Sequence, residues 1–346
     1  MHIIGKKIGY KMVTPSIGTI ELYKQLQILL KSDMPVFIHG SPGIGKSYIV
    51  NDIAKKNNLE LVDVRLSQLD AVDLRGIPTI TNNQTVWMPP VFLPLDQNSA
   101  GILFLDELNS ASLSVQAAIY QLVLDRKIGE YSLPKNWKIV CAGNKINDKG
   151  IVFKLPSPLV NRMVHLLLEA KYDDFKNWAI LNGIHSYILG FLGFRPDLLS
   201  SEVPNATETN PAFCTPRAWS MMSNILKTES NINLISPIIY GTVGYAAAIE
   251  FISFIKVYKT LPNIDDILNG TCETVPSEPS ALYALCSAVI EKYENTNQAK
   301  NIFVYSKSLP VEFAVMLIKD LIIKDENIAL LEEFDVWMEK YADYIL

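Results

Sequence analysis

The chain has 346 residues, a length that fits about two domains. Apolar residues make up 49% and charged ones 19%, a balance that allows a substantial core and excludes a chain disordered by composition. A formal net charge of -5 gives no basic footprint for nucleic acid over the whole chain and leaves only a local patch open. The four cysteines, Cys141, Cys214, Cys272 and Cys286, stand far apart with no C-x-x-C pair, which argues against a zinc site or a dense disulfide framework and fits reduced thiols in a cytoplasm.

Residues 1–16 are dotted with lysine and lack the continuous apolar core of a signal peptide. Residues 17–31 read as an amphipathic helix, with Ile20, Leu22, Leu26, Leu29 and Leu30 near helical spacing. A short apolar run, 34–39, then delivers Gly40-Ser41-Pro42-Gly43-Ile44-Gly45-Lys46-Ser47, which satisfies the G-x-x-x-x-G-K-[ST] pattern of a phosphate-binding loop. Residues 48–58 follow with helical spacing. A strand that feeds a glycine-rich turn into a helix N-terminus aims backbone N–H groups and the positive end of the helix dipole at one anion. Lys46 is placed to reach the β- and γ-phosphates, and Ser47 to hold Mg²⁺; a Gly/Pro turn followed by an exposed lysine is the plainer alternative.

Residues 59–66 form a second strand, and 79–81 and 85–87 flank Asn82-Asn83 as a small hairpin before Pro89-Pro90. The run 101–107, Gly-Ile-Leu-Phe-Leu-Asp-Glu, is an apolar strand that ends in two acids. In an open parallel sheet ligands collect at the carboxyl ends of the strands, so Asp106 is suited to Mg²⁺ and Glu107 to orienting and deprotonating a water. A solvated acidic turn is the plainer reading of the pair. A helix over 113–125 precedes a buried strand, 137–142, ending in Gly143-Asn144, where Asn144 is either a γ-phosphate contact or an ordinary turn residue. The segment 155–162 returns to a fifth strand, 163–168. Strands alternating with helices predict an α/β fold, a five-stranded parallel sheet covered by helices on both faces.

From residue 171 the pattern is helical, with helices expected at 173–181, 186–194, 215–226, 238–257, 280–293, 310–323 and 327–344, and a polar loop at 200–210. The most apolar stretch, 235–257, is interrupted by Pro237, Gly241, Gly244 and Glu250, which favours a buried helix over a membrane span. Thr215-Pro216 is a helix start that places Arg217 in the first turn. Leu330, Phe334, Trp337 and Tyr341 share one apolar face, expected to be core or subunit contact. The sequence has no internal repeat and no low-complexity tract.

These motifs together resemble the AAA+ ATPases of the MoxR branch. The resemblance is carried by the phosphate loop, by ILFLDELN at 102–109, by Cys-Ala-Gly-Asn at 141–144, by LPSPLVNRMVH at 155–165, and by Asp73 to Pro78 with VWMPPVFLP at 86–94. It is good over 17–170, weaker through the lid, where Thr215-Pro216-Arg217 fits a second sensor, and absent after about residue 260. It implies an AAA+ αβα core at 1–170, a helical lid at 171–270 and a C-terminal helical extension at 271–346. The implied nucleotide contacts are Gly40, Pro42, Gly43, Ile44, Gly45, Lys46, Ser47, Tyr48 and Asp106, with ATP and Mg²⁺ as cofactors and Ser47 and Asp106 at the metal. Glu107 is then the water-activating acid, Asn144 the first sensor, Arg217 the second, and Arg162 an arginine finger inserted into the neighbouring subunit's site. Further implications are a homo-oligomeric ring, expected to be hexameric, a client protein remodelled or loaded with a metal or cofactor, and a separate partner carrying a von Willebrand factor A domain. A nucleic-acid motor, a nucleotide-gated scaffold with little hydrolysis, and GTP in place of ATP stay open. So do two readings of Trp87 and Met88, as pore-facing residues or as packing under the hairpin, a second trans contact from Arg126, and a restraint on Glu107 from Ser67.

Overall fold

The five apolar runs of the first half become parallel strands, and their order in the sheet decides what meets at its carboxyl edge. The computed structural model describes residues 14–145, 148, 152–201 and 211–344, and the chain divides into two compact units, Met1–Glu169 and Ala170–Leu346. The basic residues before 14, most of the polar loop at 200–210 and the last two residues lie outside the described part.

In the first unit the elements run β1 (Ser16–Ile17), α1 (Thr19–Lys31), β2 (Val36–His39), α2 (Lys46–Lys56), β3 (Glu60–Arg65), α3 (Ala71–Arg75), β4 (Ile77–Thr81), β5 (Gln84–Met88), β6 (Gly101–Asp106), α4 (Leu113–Asp125), β7 (Lys127–Ile128), β8 (Tyr131–Ser132), β9 (Trp137–Gly143), α5 (Ser157–Val160) and β10 (Val164–Leu168). The main sheet has six strands in the order β1-β10-β2-β9-β6-β3, all parallel. The sixth, β1, corrects the expected count of five: two residues on an edge carry no periodicity to read. The inner strands β2, β6 and β9 are buried almost throughout, which is why they are continuous apolar runs rather than alternating ones. On one face Leu103, Leu105, Ile139 and Cys141 pack against Val115, Ile119 and Leu122 of α4. Helix α2 packs on β3 and β6, and α1 on α2 and β10.

Strand β9 lies between β2 and β6. The strand that delivers the phosphate loop and the strand that ends in the acids are therefore separated by the strand that ends in Asn144. Beside this sheet, β4 and β5 form an antiparallel hairpin. Its turn residues Asn82 and Asn83 have φ of 52° and 58°, the left-handed pair that a two-residue hairpin turn requires and that asparagine tolerates. Trp87 is 37% exposed and Met88 57% exposed on it.

The second unit is helical: α6 (Tyr172–Leu181), α7 (Ser186–Phe194), α8 (Pro216–Thr228), α9 (Ile232–Val243), α10 (Tyr245–Ile255), α11 (Ile264–Leu268), α12 (Pro279–Lys292), α13 (Thr296–Ser306), α14 (Val311–Lys324) and α15 (Glu332–Tyr341). Helices on both sides of residue 270 share one core, in which Phe191, Trp219, Phe251, Phe303 and Trp337 are buried. The single helix expected over 238–257 is two helices, α9 and α10. Gly244 separates them at φ 86° and ψ 162°, backbone that only glycine adopts readily, and a Cβ there would stand 2.6 Å from the Ala212 carbonyl. The helix expected over 327–344 is α15 flanked by 3-10 turns. On its apolar face Trp337 and Tyr341 are buried, while Leu330, at the end of the preceding 3-10 turn, is 83% exposed. Helix α13 escaped the sequence reading because its first turn is polar. It starts where Asn295 accepts hydrogen bonds from the amides of Asn297 and Gln298, the geometry that makes asparagine a strong N-cap. Among the described residues no helix is long and apolar enough to cross a membrane.

One buried pair in this unit sets a pH dependence. Lys176 Nζ lies 2.6 Å from Asp320 Oδ1, beside a cavity of about 20 Å³ bordered by Tyr172, Tyr283 and Cys286. Burial pushes the Asp320 carboxyl up to about 6, despite the opposing pull of Lys176. Between the ordinary aspartate value near 3.8 and that raised value the folded state holds a proton that the unfolded state has lost, so stability falls as pH rises through this window. The expected loss is on the order of 3 kcal/mol across it. Urea midpoints measured from pH 4 to 7 should show this decline in the wild type and a flatter profile in Asp320→Asn, whose side chain carries no titrating proton in either state.

Candidate nucleotide site

The loop of residues 40–47 leaves β2 and enters α2 with Gly43 at φ 76° and Gly45 at φ 100°. These left-handed glycines turn successive backbone amides toward one concavity, a nest for an anion at the start of a helix. Ile44 is 4% exposed and anchors the loop tip in the core, and Pro42 stiffens the turn before Gly43. Lys46 is 8% exposed. Its ammonium donates to the Gly40 carbonyl at 2.6 Å, the Ser41 carbonyl at 3.1 Å and Asn144 Oδ1 at 3.4 Å. The cation therefore lies over the loop and already meets the side chain at the end of β9.

Next to it Ser47 Oγ donates to Asp106 Oδ2 at 3.0 Å, and Asp106 Oδ1 accepts the Glu107 amide at 2.8 Å. A hydroxyl and a carboxylate side by side are the hard oxygen donors that Mg²⁺ takes. Glu107 sits at φ 59° and ψ 31°, a left-handed conformation that costs a non-glycine residue roughly 1 kcal/mol or more and that directs the chain out of the sheet. Its Oε2 accepts a hydrogen bond from Ser67 Oγ, in the 3-10 turn that follows the neighbouring strand β3. Asp63, on the same strand, has its pKa raised by burial and then by the charge of Asp106.

Asn144 is held by a residue to which the sequence reading gave no role. Asn109 Nδ2 donates to the Asn144 carbonyl at 2.8 Å, and Asn109 Oδ1 accepts the Asn144 amide at 3.1 Å. This reciprocal clamp joins the acidic turn to the end of β9. Asp148 was also missed: it accepts from Ser41 Oγ at 3.2 Å and from the Lys145 amide at 3.0 Å, tying the phosphate loop to the segment after Asn144. Neither residue has a local sequence signature, because each works through a partner distant in the chain or in a turn without regular spacing.

The other expected site residues are on exposed surface of their own units. Tyr48 is 51% exposed on the first turn of α2. Arg162 is exposed just after α5, and no described residue pairs with its guanidinium. Arg217 is exposed in the first turn of α8, in the second unit. Arg126, considered as a second trans contact, is engaged within its own chain: its guanidinium donates to the carbonyls of Pro134 at 2.8 Å and Trp137 at 2.6 Å. Behind the loop, His39 Nε2 and His165 Nδ1 are 2.8 Å apart. Burial, followed by His165 and Lys46, lowers the His39 pKa to about 4.

A strand-loop-helix with a buried lysine, a serine-aspartate pair and an asparagine between them is a nucleotide-binding constellation, and its extent agrees with a family match. Residues 35–163 match an AAA domain of the dynein-related subfamily. The matched residues include the phosphate loop, Asp106, Glu107, Asn144 and Arg162. The match supports ATP-driven activity at the level of the family.

Over 198 residues the chain is 28% identical to midasin of Giardia intestinalis, covering 54% of this chain and 4% of that protein. Over 146 residues it is 28% identical to midasin of Dictyostelium discoideum, covering 39% of this chain and 2% of that protein. The chain thus spans a small fraction of the length of these relatives. Among solved structures it resembles a point mutant of RuvB from Thermotoga maritima, at 16% identity, 81% of this chain, 86% of that one and a TM-score of 0.39. It also resembles NtrX from Brucella abortus in complex with ADP, at 14% identity, 99% of this chain, 66% of that one and a TM-score of 0.34.

Proposed function

We propose that this chain is a Mg²⁺-dependent ATPase of the MoxR branch that works as a ring, with each site completed by Arg162 of the next subunit. The observation that carries the reading is the continuous line of polar contacts from Gly40 through Lys46 to Asn144, beside Ser47 bonded to Asp106 and Glu107 bonded to Ser67. Lys46 and the loop amides would bind the phosphates. Ser47 and Asp106 would hold Mg²⁺, which supplies charge neutralisation at the phosphate oxygens when bound. Glu107 would take the proton of the attacking water, which requires its release from Ser67. Asn144, fixed by Asn109, would sense the γ-phosphate through the same contact that now reaches Lys46.

Two features support completion of the site from outside. Arg162 is the exposed cation at the end of α5, and the described residues of its own unit supply no arginine to Glu107. In this reading residues 171–270 act as the lid with Arg217 as its sensor, and 271–346 extend it. The driven partner is a client protein, and a separate protein with a von Willebrand factor A domain is the proposed adaptor. ATP turnover per subunit, measured against protein concentration, tests the assembly. Specific activity should rise cooperatively; activity flat with concentration would leave a self-contained ATPase, and ATP binding without turnover at any concentration would leave a nucleotide-gated scaffold.

A further inference from the structure

The nucleotide chemistry uses neither His39 nor His165, yet the two form a side-chain link between the strand that delivers the phosphate loop and the segment that displays Arg162. His39 is the last residue of β2 and immediately precedes Gly40, whose amide donates to the Gly143 carbonyl at 3.1 Å and whose carbonyl accepts from Lys46. His165, on the adjacent strand β10, contacts His39 through Nδ1 at 2.8 Å and the Val160 carbonyl through Nε2 at 2.8 Å. Val160 ends α5, and the Arg162 amide closes the following turn by donating to the Leu159 carbonyl at 3.2 Å.

The proton positions in this relay are fixed by its ends. A backbone carbonyl only accepts, so His165 Nε2 carries the hydrogen toward Val160. In the neutral pair His165 Nδ1 then has a lone pair, and His39 Nε2 must donate to it. In that neutral form the two hydrogen bonds run one way, from His39 through His165 to Val160. The rings also pack on Phe37, with centroids 4.2 Å from His39 and 5.7 Å from His165, which limits their rotation. A shift of the phosphate loop that moves His39 must either break this wire or carry the α5 turn with it.

We propose that His39 and His165 are positioning residues that couple the state of a subunit's own phosphate loop to the placement of its Arg162. The inference rests on the proposed reading of Arg162 as a cation offered to a neighbouring site. It gives the ring a route by which the nucleotide in one site sets the activity of the next, through one hydrogen-bonded pair inside the first unit.

Three substitutions separate the parts of the wire. His165→Asn keeps an acceptor near the position of Nδ1 for His39 and is too short to reach Val160. His39→Gln keeps a terminal N–H donor, and His39→Leu removes it. The experiment measures ATP turnover against protein concentration, ATP binding by equilibrium titration, and assembly by sedimentation for each full-length variant. The wild type should show turnover rising with concentration. His165→Asn should assemble and bind ATP as the wild type does, yet lose at least about tenfold of the concentration-dependent turnover, a small share of what a displaced arginine finger removes. His39→Gln should restore the rise that His39→Leu loses. If His165→Asn rises like the wild type, or fails to assemble, the pair is packing alone and the coupling is overturned while the shared-site reading stands. If the wild type itself is flat while binding and hydrolysing ATP, the shared-site reading fails and the coupling fails with it.

Discussion

Arg162→Ala, in protein assembled at high concentration, is expected to lower ATP turnover by about 10³ to 10⁵, the range an arginine finger contributes in phosphate-loop enzymes. ATP binding should be unchanged. The split follows from placement. The residues proposed to hold phosphate, Lys46 and the loop glycines, belong to the loop between β2 and α2 and its junction with α2, whereas Arg162 is exposed beyond α5 and its guanidinium pairs with no described residue. A guanidinium that touches only the transition state of a neighbour lowers kcat, when removed, without weakening the ground-state complex. Stopped phosphate-release assays beside ATP titrations distinguish this from a folding defect, which would depress both. Unchanged turnover would remove Arg162 from the reaction.

The second large effect is expected at Glu107. Glu107→Gln should reduce turnover by about 10² to 10⁴, the usual contribution of a positioned general base, and should retain bound ATP. Glutamine keeps the shape and can still accept the Ser67 hydroxyl through its carbonyl oxygen, so the left-handed turn at 107 and the Asp106 contact to its amide should survive. What it loses is the capacity to take a proton. Thermal melting in the presence of ATP checks the point: the variant should be stabilised by nucleotide at least as much as the wild type, since it does not consume the ligand that stabilises it. A variant that hydrolyses normally would mean that another group activates the water.

The parts of this architecture that were legible in the sequence are those written in local pattern. Continuous apolar runs marked the buried strands, and the glycine spacing of residues 40–47 marked the loop. The strand ending in Asp106 and Glu107 was readable because parallel strands buried on both faces leave polar residues only at their ends. What local pattern does not encode is which strand lies beside which. That β9 separates β2 from β6, and so brings Asn144 to Lys46, is a property of the folded sheet. Asn109, Asp148 and the two histidines were unreadable for the same reason, since each acts through a partner distant in sequence or through a turn with no repeat. The break at Gly244 shows the opposite failure: an apolar run of helical period read as one helix, although a glycine that must adopt a positive φ divided it. Leu330 shared the helical spacing of Phe334, Trp337 and Tyr341 and lies outside that helix, in a turn whose period differs.

In the proposed reading Lys46, Ser47, Asp106, Glu107 and Asn144 form one ATP-hydrolysing site. Phosphate release from ATP, with and without Mg²⁺, measured together with ATP binding for the wild type and Lys46→Ala, tests it most directly. The account predicts Mg²⁺-dependent release in the wild type, and loss of both binding and release in Lys46→Ala with the fold intact by circular dichroism. Release that persists in Lys46→Ala, or a wild type that binds no ATP at millimolar concentration, would contradict it.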